Sequence, residues 1–189
     1  MGKYENDYPQ GCVVHTTGGQ LGAIEEIQNA SINGYVYFVI GHGGIVHQNF
    51  TLDSWGHHAG LSSWADLGDN LSKKLVGIEL CNPGKVEPQP DGTFKSWFGK
   101  CYSQSEVRYA PPGQYINPGF YVKCTTEQEV ALFELITWLH DNNPDVFKIQ
   151  NVVGHDEVRA HIGKRGDKTD PGGSLLWTME EFRQELAKD

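Results

Sequence analysis

The stretch Leu75-Val76-Gly77-Ile78-Glu79-Leu80-Cys81 decides how the chain is read. Side chains along a strand alternate between its faces, so Val76, Ile78 and Leu80 form one apolar face and Gly77, Glu79 and Cys81 the other. A run this apolar reads as a strand of a sheet. A carboxylate in its middle is costly to bury unless it is paired or used. Burial and a neighbouring cation would tune such a group for general-base work. The plain alternative is an edge strand with Glu79 in solvent.

Working outward, residues 11–16 (Gly-Cys-Val-Val-His-Thr) read as a second buried strand. Val13, His15 and Thr17 share one face and Cys12, Val14 and Thr16 the other, so the C-x-x-H spacing of Cys12 and His15 does not make a ligand pair. Leu21, Ile24 and Ile27 predict a helix over 18–30. Residues 35–40 and 45–50 predict a hairpin around Gly41-His42-Gly43-Gly44. Thr126-Glu127-Gln128-Glu129 reads as a capping box opening a helix with Leu132, Leu135, Ile136 and Leu139 inward, ended by Asn142-Asn143-Pro144. Residues 149–153 predict a short strand delivering Gly154-His155. Thr178 and Glu181 predict a second capping box, with Phe182 and Leu186 inward. Residues 82–123, with six prolines, read as a loop-rich insertion. Mixed strands and helices around one sheet predict an α/β (α+β) fold in a single domain over 1–189.

Size and charge narrow the function. A chain of 189 residues suits one domain with a full core. A net charge of −9 argues against nucleic acid, which is held largely by Lys and Arg on phosphates. No stretch approaches the roughly 20 apolar residues of a membrane helix, and the first residues lack a signal peptide's apolar core. Synthesis in the cytoplasm and a monomer are the expectations. Cys12, Cys81, Cys101 and Cys124 have no C-x-x-C spacing and read as free thiols, with Cys101–Cys124 the best candidate for a disulfide.

His15, His155 and Asp170 supply two imidazoles and a carboxylate, which suit a catalytic zinc with one position left for water. Asp170 lies in Lys168-Thr169-Asp170-Pro171-Gly172, where an extended backbone turns Lys168 and Asp170 the same way. Lys168 would then face an oxyanion that develops beside the metal. His155 and Asp170 are too far apart for one helix face, so the segment between them must fold back. His161 and the His57-His58 pair compete as ligands; Glu157 and Asp167 read as solvated surface charges. The loop from Trp55 to Trp64 mixes aromatics, histidines and small residues in the manner of a substrate cleft, with His58 and Trp64 as its binding residues.

Taken in order, Val13-Val14-His15, the hairpin ending Gly43-Gly44, His58-Ala59-Gly60-Leu61-Ser62-Ser63-Trp64, Val76-Gly77-Ile78-Glu79-Leu80, Gly154-His155 and Lys168-Thr169-Asp170-Pro171-Gly172 resemble the type-2 N-acetylmuramoyl-L-alanine amidases. The resemblance spans nearly the whole chain. It implies a mixed sheet flanked by helices and zinc (Zn2+) held in a cleft by His15, His155 and Asp170. Glu79 would be the base on the attacking water and Lys168 the oxyanion stabiliser. Some members use cysteine as third ligand; Asp170 takes that place here. Others bring a tyrosine from the second strand to the metal; alignment on the glycine turn puts Val36 there, with Tyr35 and Tyr37 beside it. The implied substrate is peptidoglycan or a muropeptide, cut between N-acetylmuramic acid and L-alanine, with a phage-type endolysin as the leading role. A cytosolic recycling amidase, a non-catalytic peptidoglycan-binding module and a zinc peptidase of the stem are the alternatives.

Overall fold

A computed structural model describes residues 2–35 and 37–188. In chain order its principal strands are β1 (Cys12–Thr16), β2 (Tyr37–Ile40), β3 (Val46–Gln48), β4 (Val76–Leu80), β5 (Lys85–Pro88), β6 (Phe94–Lys95), β7 (Cys101–Tyr102), β8 (Val107–Ala110), β9 (Gly119–Val122) and β10 (Val152–Gly154). The helices are α1 (Ala23–Asn33), α2 (Thr126–Asn142), α3 (His155–His161) and α4 (Met179–Leu186).

Five strands make the central sheet in the order β10-β1-β4-β2-β3, parallel except for the β2–β3 hairpin. The strand of Glu79 is therefore central, not an edge. Val14, Ile78, Phe38 and Val152 on one face meet Leu132, Ile136 and Leu139 of α2 and Phe182 and Leu186 of α4 in the main core. On the other face Val13 and Val153 pack with Ala59, Leu71, Leu75 and Val158, and Tyr37 and Val39 pack with Ala30 of α1. Strands buried on both faces need apolar side chains at nearly every position. That demand makes a polar residue on β1 or β4 conspicuous.

The capping box of α4 stands as the sequence predicts, Thr178 with Glu181. That of α2 lies one residue earlier, with Thr125 accepting from the Gln128 amide and Gln128 returning the bond. Glu129 instead accepts from the Leu176 amide. Helix α1 begins at Ala23, and the later start changes its inward stripe. Leu21 and Ile24 are exposed, while Ala23, Ile27 and Ala30 face the sheet. All four cysteines are free, Cys101 on the surface and the others buried.

The largest correction concerns residues 82–123. Expected to be loop-rich, they carry a second, antiparallel sheet of five short strands in the order β7-β6-β5-β9-β8. Val86, Phe94, Tyr102, Val107 and Val122 form its own small core. Buried Asn82 pins both ends: its carboxamide oxygen accepts from the Gly84 amide (2.7 Å) and its NH2 donates to the Val122 carbonyl (3.2 Å). Arg108 donates to the carbonyls of Ser174 and Leu175, and Tyr121 packs under Gly172 and Gly173. The second sheet thus braces the segment that follows Asp170.

Candidate active site

Sheet register creates the site. Parallel pairing of β1 and β4 sets His15 beside Glu79, and in-register neighbours of parallel strands share a face. Strand β10 lies on the other side of β1, with Gly154 opposite Val14. His155 follows it at once as the first residue of α3, which carries its ring to His15. Asp170 arrives from the opposite direction: its carbonyl accepts from the Asp156 amide at 2.8 Å, so the segment after α3 folds back onto the start of that helix.

Three ligand atoms converge. His15 Nδ1 lies 3.0 Å from His155 Nδ1 and 3.3 Å from Asp170 Oδ2, and His155 Nδ1 lies 3.0 Å from the same oxygen. Burial, reinforced by the neighbouring His155, pushes His15 down to about 4, so its imidazole is neutral at ordinary pH. Burial alone would raise Asp170, but its close contacts with the His15 and His155 rings outweigh it and hold the carboxyl below the usual range. Neutral imidazoles and an ionised carboxylate are the forms that bind a metal.

The tautomer of His15 can be derived. His58 Nε2 lies 2.9 Å from the Leu75 carbonyl, which only accepts. His58 Nε2 is therefore the donor, and Nδ1 of the neutral ring is an acceptor. His15 Nε2 lies 3.1 Å from that atom and donates to it. The lone pair of His15 is left on Nδ1, facing His155 and Asp170. An outer partner of this kind sets the orientation of a metal-binding histidine. Burial pushes His58 itself down to about 3, with the neighbouring His15 adding to it. Gly77 of β4 gives the ring its seat, since a Cβ there would stand 2.9 Å from His58 Cγ.

Glu79 is partly buried, and its Oε2 has no hydrogen-bond partner among the described residues. Burial first, then Asp170 and Glu26, push its carboxyl up to about 8, against the pull of Lys168. Lys168 is exposed at the rim and lines the same cavity of about 480 Å³ as His15, Glu79, His155 and Asp170. Converging lone pairs and an orphaned carboxylate oxygen are what a divalent cation and its water satisfy. A donor set of two imidazoles and one carboxylate suits zinc.

The other candidates divide between this cavity and the surface around it. Trp64 is not in this cavity: it lines a separate concavity of about 1030 Å³ with Tyr115 and Arg183. That larger hollow reaches Asp156, Glu157 and Gly172 but none of His15, His155 and Asp170. His58 edges the metal cavity, yet both its ring nitrogens are engaged, which makes it a positioning residue for His15. His57 is exposed, and exposed His161 sets its ring at a tilt against Trp64. Glu157 is not a solvated surface charge: it is buried, accepts two bonds from Arg183 (2.8 and 2.9 Å) and one from the Gly154 amide (2.9 Å). Asp167 is exposed and paired with Arg159. Val36 lies outside the described residues; Tyr37 donates to Glu26 at 3.1 Å. Trp97 also lines the metal cavity. Its signal was an aromatic pair, Trp97-Phe98, between Lys95 and Lys100 in a glycine turn.

The fold gathers two imidazoles and a carboxylate in one cleft, a possible metal site. The N-acetylmuramoyl-L-alanine amidase family model matches residues 5–173, and the chain belongs to that family. No curated protein sequence matches it. Among solved structures, AmpD as its Se-Met derivative is 19% identical with a TM-score of 0.58, covering 98% of this chain and 88% of that one. AmiD from E. coli, in complex with the substrate anhydro-N-acetylmuramic acid-L-Ala-D-gamma-Glu-L-Lys, is 20% identical with a TM-score of 0.60 over 96% of this chain. The match spans 58% of the AmiD chain. PlyL is 13% identical with a TM-score of 0.51, covering 98% of this chain and 86% of that one.

Proposed function

We propose that this amidase is zinc-dependent, hydrolyses the amide between N-acetylmuramic acid and L-alanine, and serves wall lysis in the manner of an endolysin. The observation that carries the metal assignment is the convergence of His15 Nδ1, His155 Nδ1 and Asp170 Oδ2 within 4.8 Å of one another, beside the unpartnered Oε2 of Glu79. Zinc held by His15, His155 and Asp170 would polarise the scissile carbonyl and acidify water. Glu79 takes the proton of the attacking water and passes it to the leaving amine of L-alanine. Lys168 sets its ammonium against the charge that develops on the carbonyl oxygen. His58 keeps His15 in the tautomer that leaves Nδ1 free.

Zinc content and muropeptide cleavage in wild type, His15→Ala and Glu79→Ala test the metal and base assignments. Zinc and turnover retained in His15→Ala would refute them. The likeness to AmiD, solved with an anhydro-muropeptide, favours a second reading, turnover of soluble wall fragments. Comparing rates on intact sacculi and on soluble anhydro-muropeptides separates the two, and faster cleavage of sacculi supports the lytic role.

A further inference from the structure

The second sheet carries chemistry that hydrolysis alone leaves unused. Its β6–β7 turn places Trp97 at the mouth of the metal cavity, 80% exposed, with its indole N–H donating to the Gly18 carbonyl across the rim. Lys85, the first residue of β5 and six residues beyond Glu79, lines the same cavity. Its ammonium makes no ion pair or hydrogen bond with any described residue. The absence of a side chain at Gly119 leaves room for its stem: a Cβ there would stand 2.5 Å from Lys85 Cε. On the far side of the Trp97-Phe98 tip lies a second hollow of about 590 Å³, whose lining includes Lys100 and Lys123. Five basic residues against three acidic give residues 82–123 a net charge of +2, in a chain whose total is −9.

A muropeptide is lopsided in charge. Its lactyl carboxyl is consumed in the scissile amide, which leaves the sugar neutral and the carboxylates on the stem peptide. The basic, aromatic wall therefore complements the stem and not the sugar. We infer that the second sheet is the stem-peptide wall of the cleft, with Lys85 pairing a stem carboxylate and Trp97 packing on the peptide between that carboxylate and the scissile amide. The inference rests on the amidase reading and extends it to substrate recognition.

Equilibrium binding tests it, measured by calorimetry on zinc-loaded protein in a Glu79→Gln background so that the ligand stays intact. The probes are N-acetylmuramoyl-L-Ala-D-γ-Glu-L-Lys and the same molecule with its stem carboxylates converted to primary amides. Lys85→Ala should weaken binding of the acid about tenfold and leave the amide unchanged, while Lys85→Arg retains most affinity. Trp97→Ala should weaken both about tenfold. Equal losses on acid and amide for Lys85→Ala, or full affinity in either alanine variant, would overturn the wall. Unchanged melting temperatures guard against misfolding. Product release by the wild-type enzyme is scored separately: no cleavage refutes the amidase mechanism, whereas cleavage with unaltered binding in the variants refutes only the wall.

Discussion

The two sheets of this molecule divide the work. The central sheet is parallel, buried on both faces and covered by helices, and it fixes His15 against Glu79 by register alone. The second sheet is antiparallel, with strands of two to four residues and a five-residue core. It touches the reaction from outside, with Lys85 and Trp97 at the cavity and Tyr121 beneath the segment after Asp170. Chemistry that tolerates little displacement is built where packing leaves no slack. Recognition, which tolerates more, is built on the smaller sheet. If this division is right, substitutions in the central sheet change metal content and rate, and those in the second sheet change affinity and stability.

The largest effect is expected at His15. Replacing it with alanine removes one of the converging ligands and leaves the base and the wall in place. Zinc measured by metal analysis should fall from one per chain to none. Turnover should drop by orders of magnitude, well beyond the ~10–100-fold of an outer-shell change. A His15→Ala variant that keeps its metal would break the comparison at its root.

Glu79→Gln comes next. It should keep zinc and lose about 10²–10⁴ in kcat, the range of a general base. The same variant tests the electrostatics of the metal-free protein. Folding raises this carboxyl from 4.5 to about 8, so between those values the folded state holds a proton that the unfolded state has released. Stability from this group is complete below about pH 4.5 and is lost as pH rises toward 8. Melting temperatures of the apo proteins should therefore be similar near pH 4.5, with Glu79→Gln gaining on wild type up to pH 8. A constant difference across that window would mean that Glu79 is not desolvated.

The contrast also explains what could be read before the structure. Runs such as Val13-Val14-His15 and Val76-Gly77-Ile78-Glu79-Leu80 show the central sheet directly, because a doubly buried strand leaves few places for polar side chains and each exception points to the site. His155 and Asp170 were legible as residue types, but not the Asp156–Asp170 backbone bond that brings them together. The second sheet was hidden for a physical reason. Its strands are too short for periodicity, and prolines and glycines at its turns look like those of a loop. Glu157 was misread because its partner, Arg183, lies 26 residues away on another helix. That Trp64 faces a separate concavity was not legible, because an aromatic in a histidine-rich loop gives composition but no direction.

His58→Ala has an intermediate effect. With its loss, nothing holds His15 in the Nδ1-free tautomer, and zinc affinity should fall about 10–100-fold. Competition against a chelator measures this. His58→Gln should recover part of the affinity, because a carboxamide offers both the acceptor and the donor. Equal losses in the two variants would reduce His58 to a space-filling residue.

The smallest effect sharpens the boundary between the sheets. Tyr121 is fully buried and its hydroxyl donates to the Asn117 carbonyl at 2.8 Å, while its ring lies under Gly172 and Gly173. Tyr121→Phe deletes the hydroxyl and keeps the ring, so the cost should be about 0.5–1.5 kcal/mol by denaturant unfolding. The ring, which Tyr121→Phe keeps, supports the segment behind Asp170 together with Arg108, so zinc affinity should hold. If that affinity falls tenfold instead, the hydroxyl's hold on the turn at Asn117 reaches Asp170, which sits two residues before Gly172. The second sheet would then position a ligand as well as line the cleft, and the division between the sheets would have to be redrawn at Asp170.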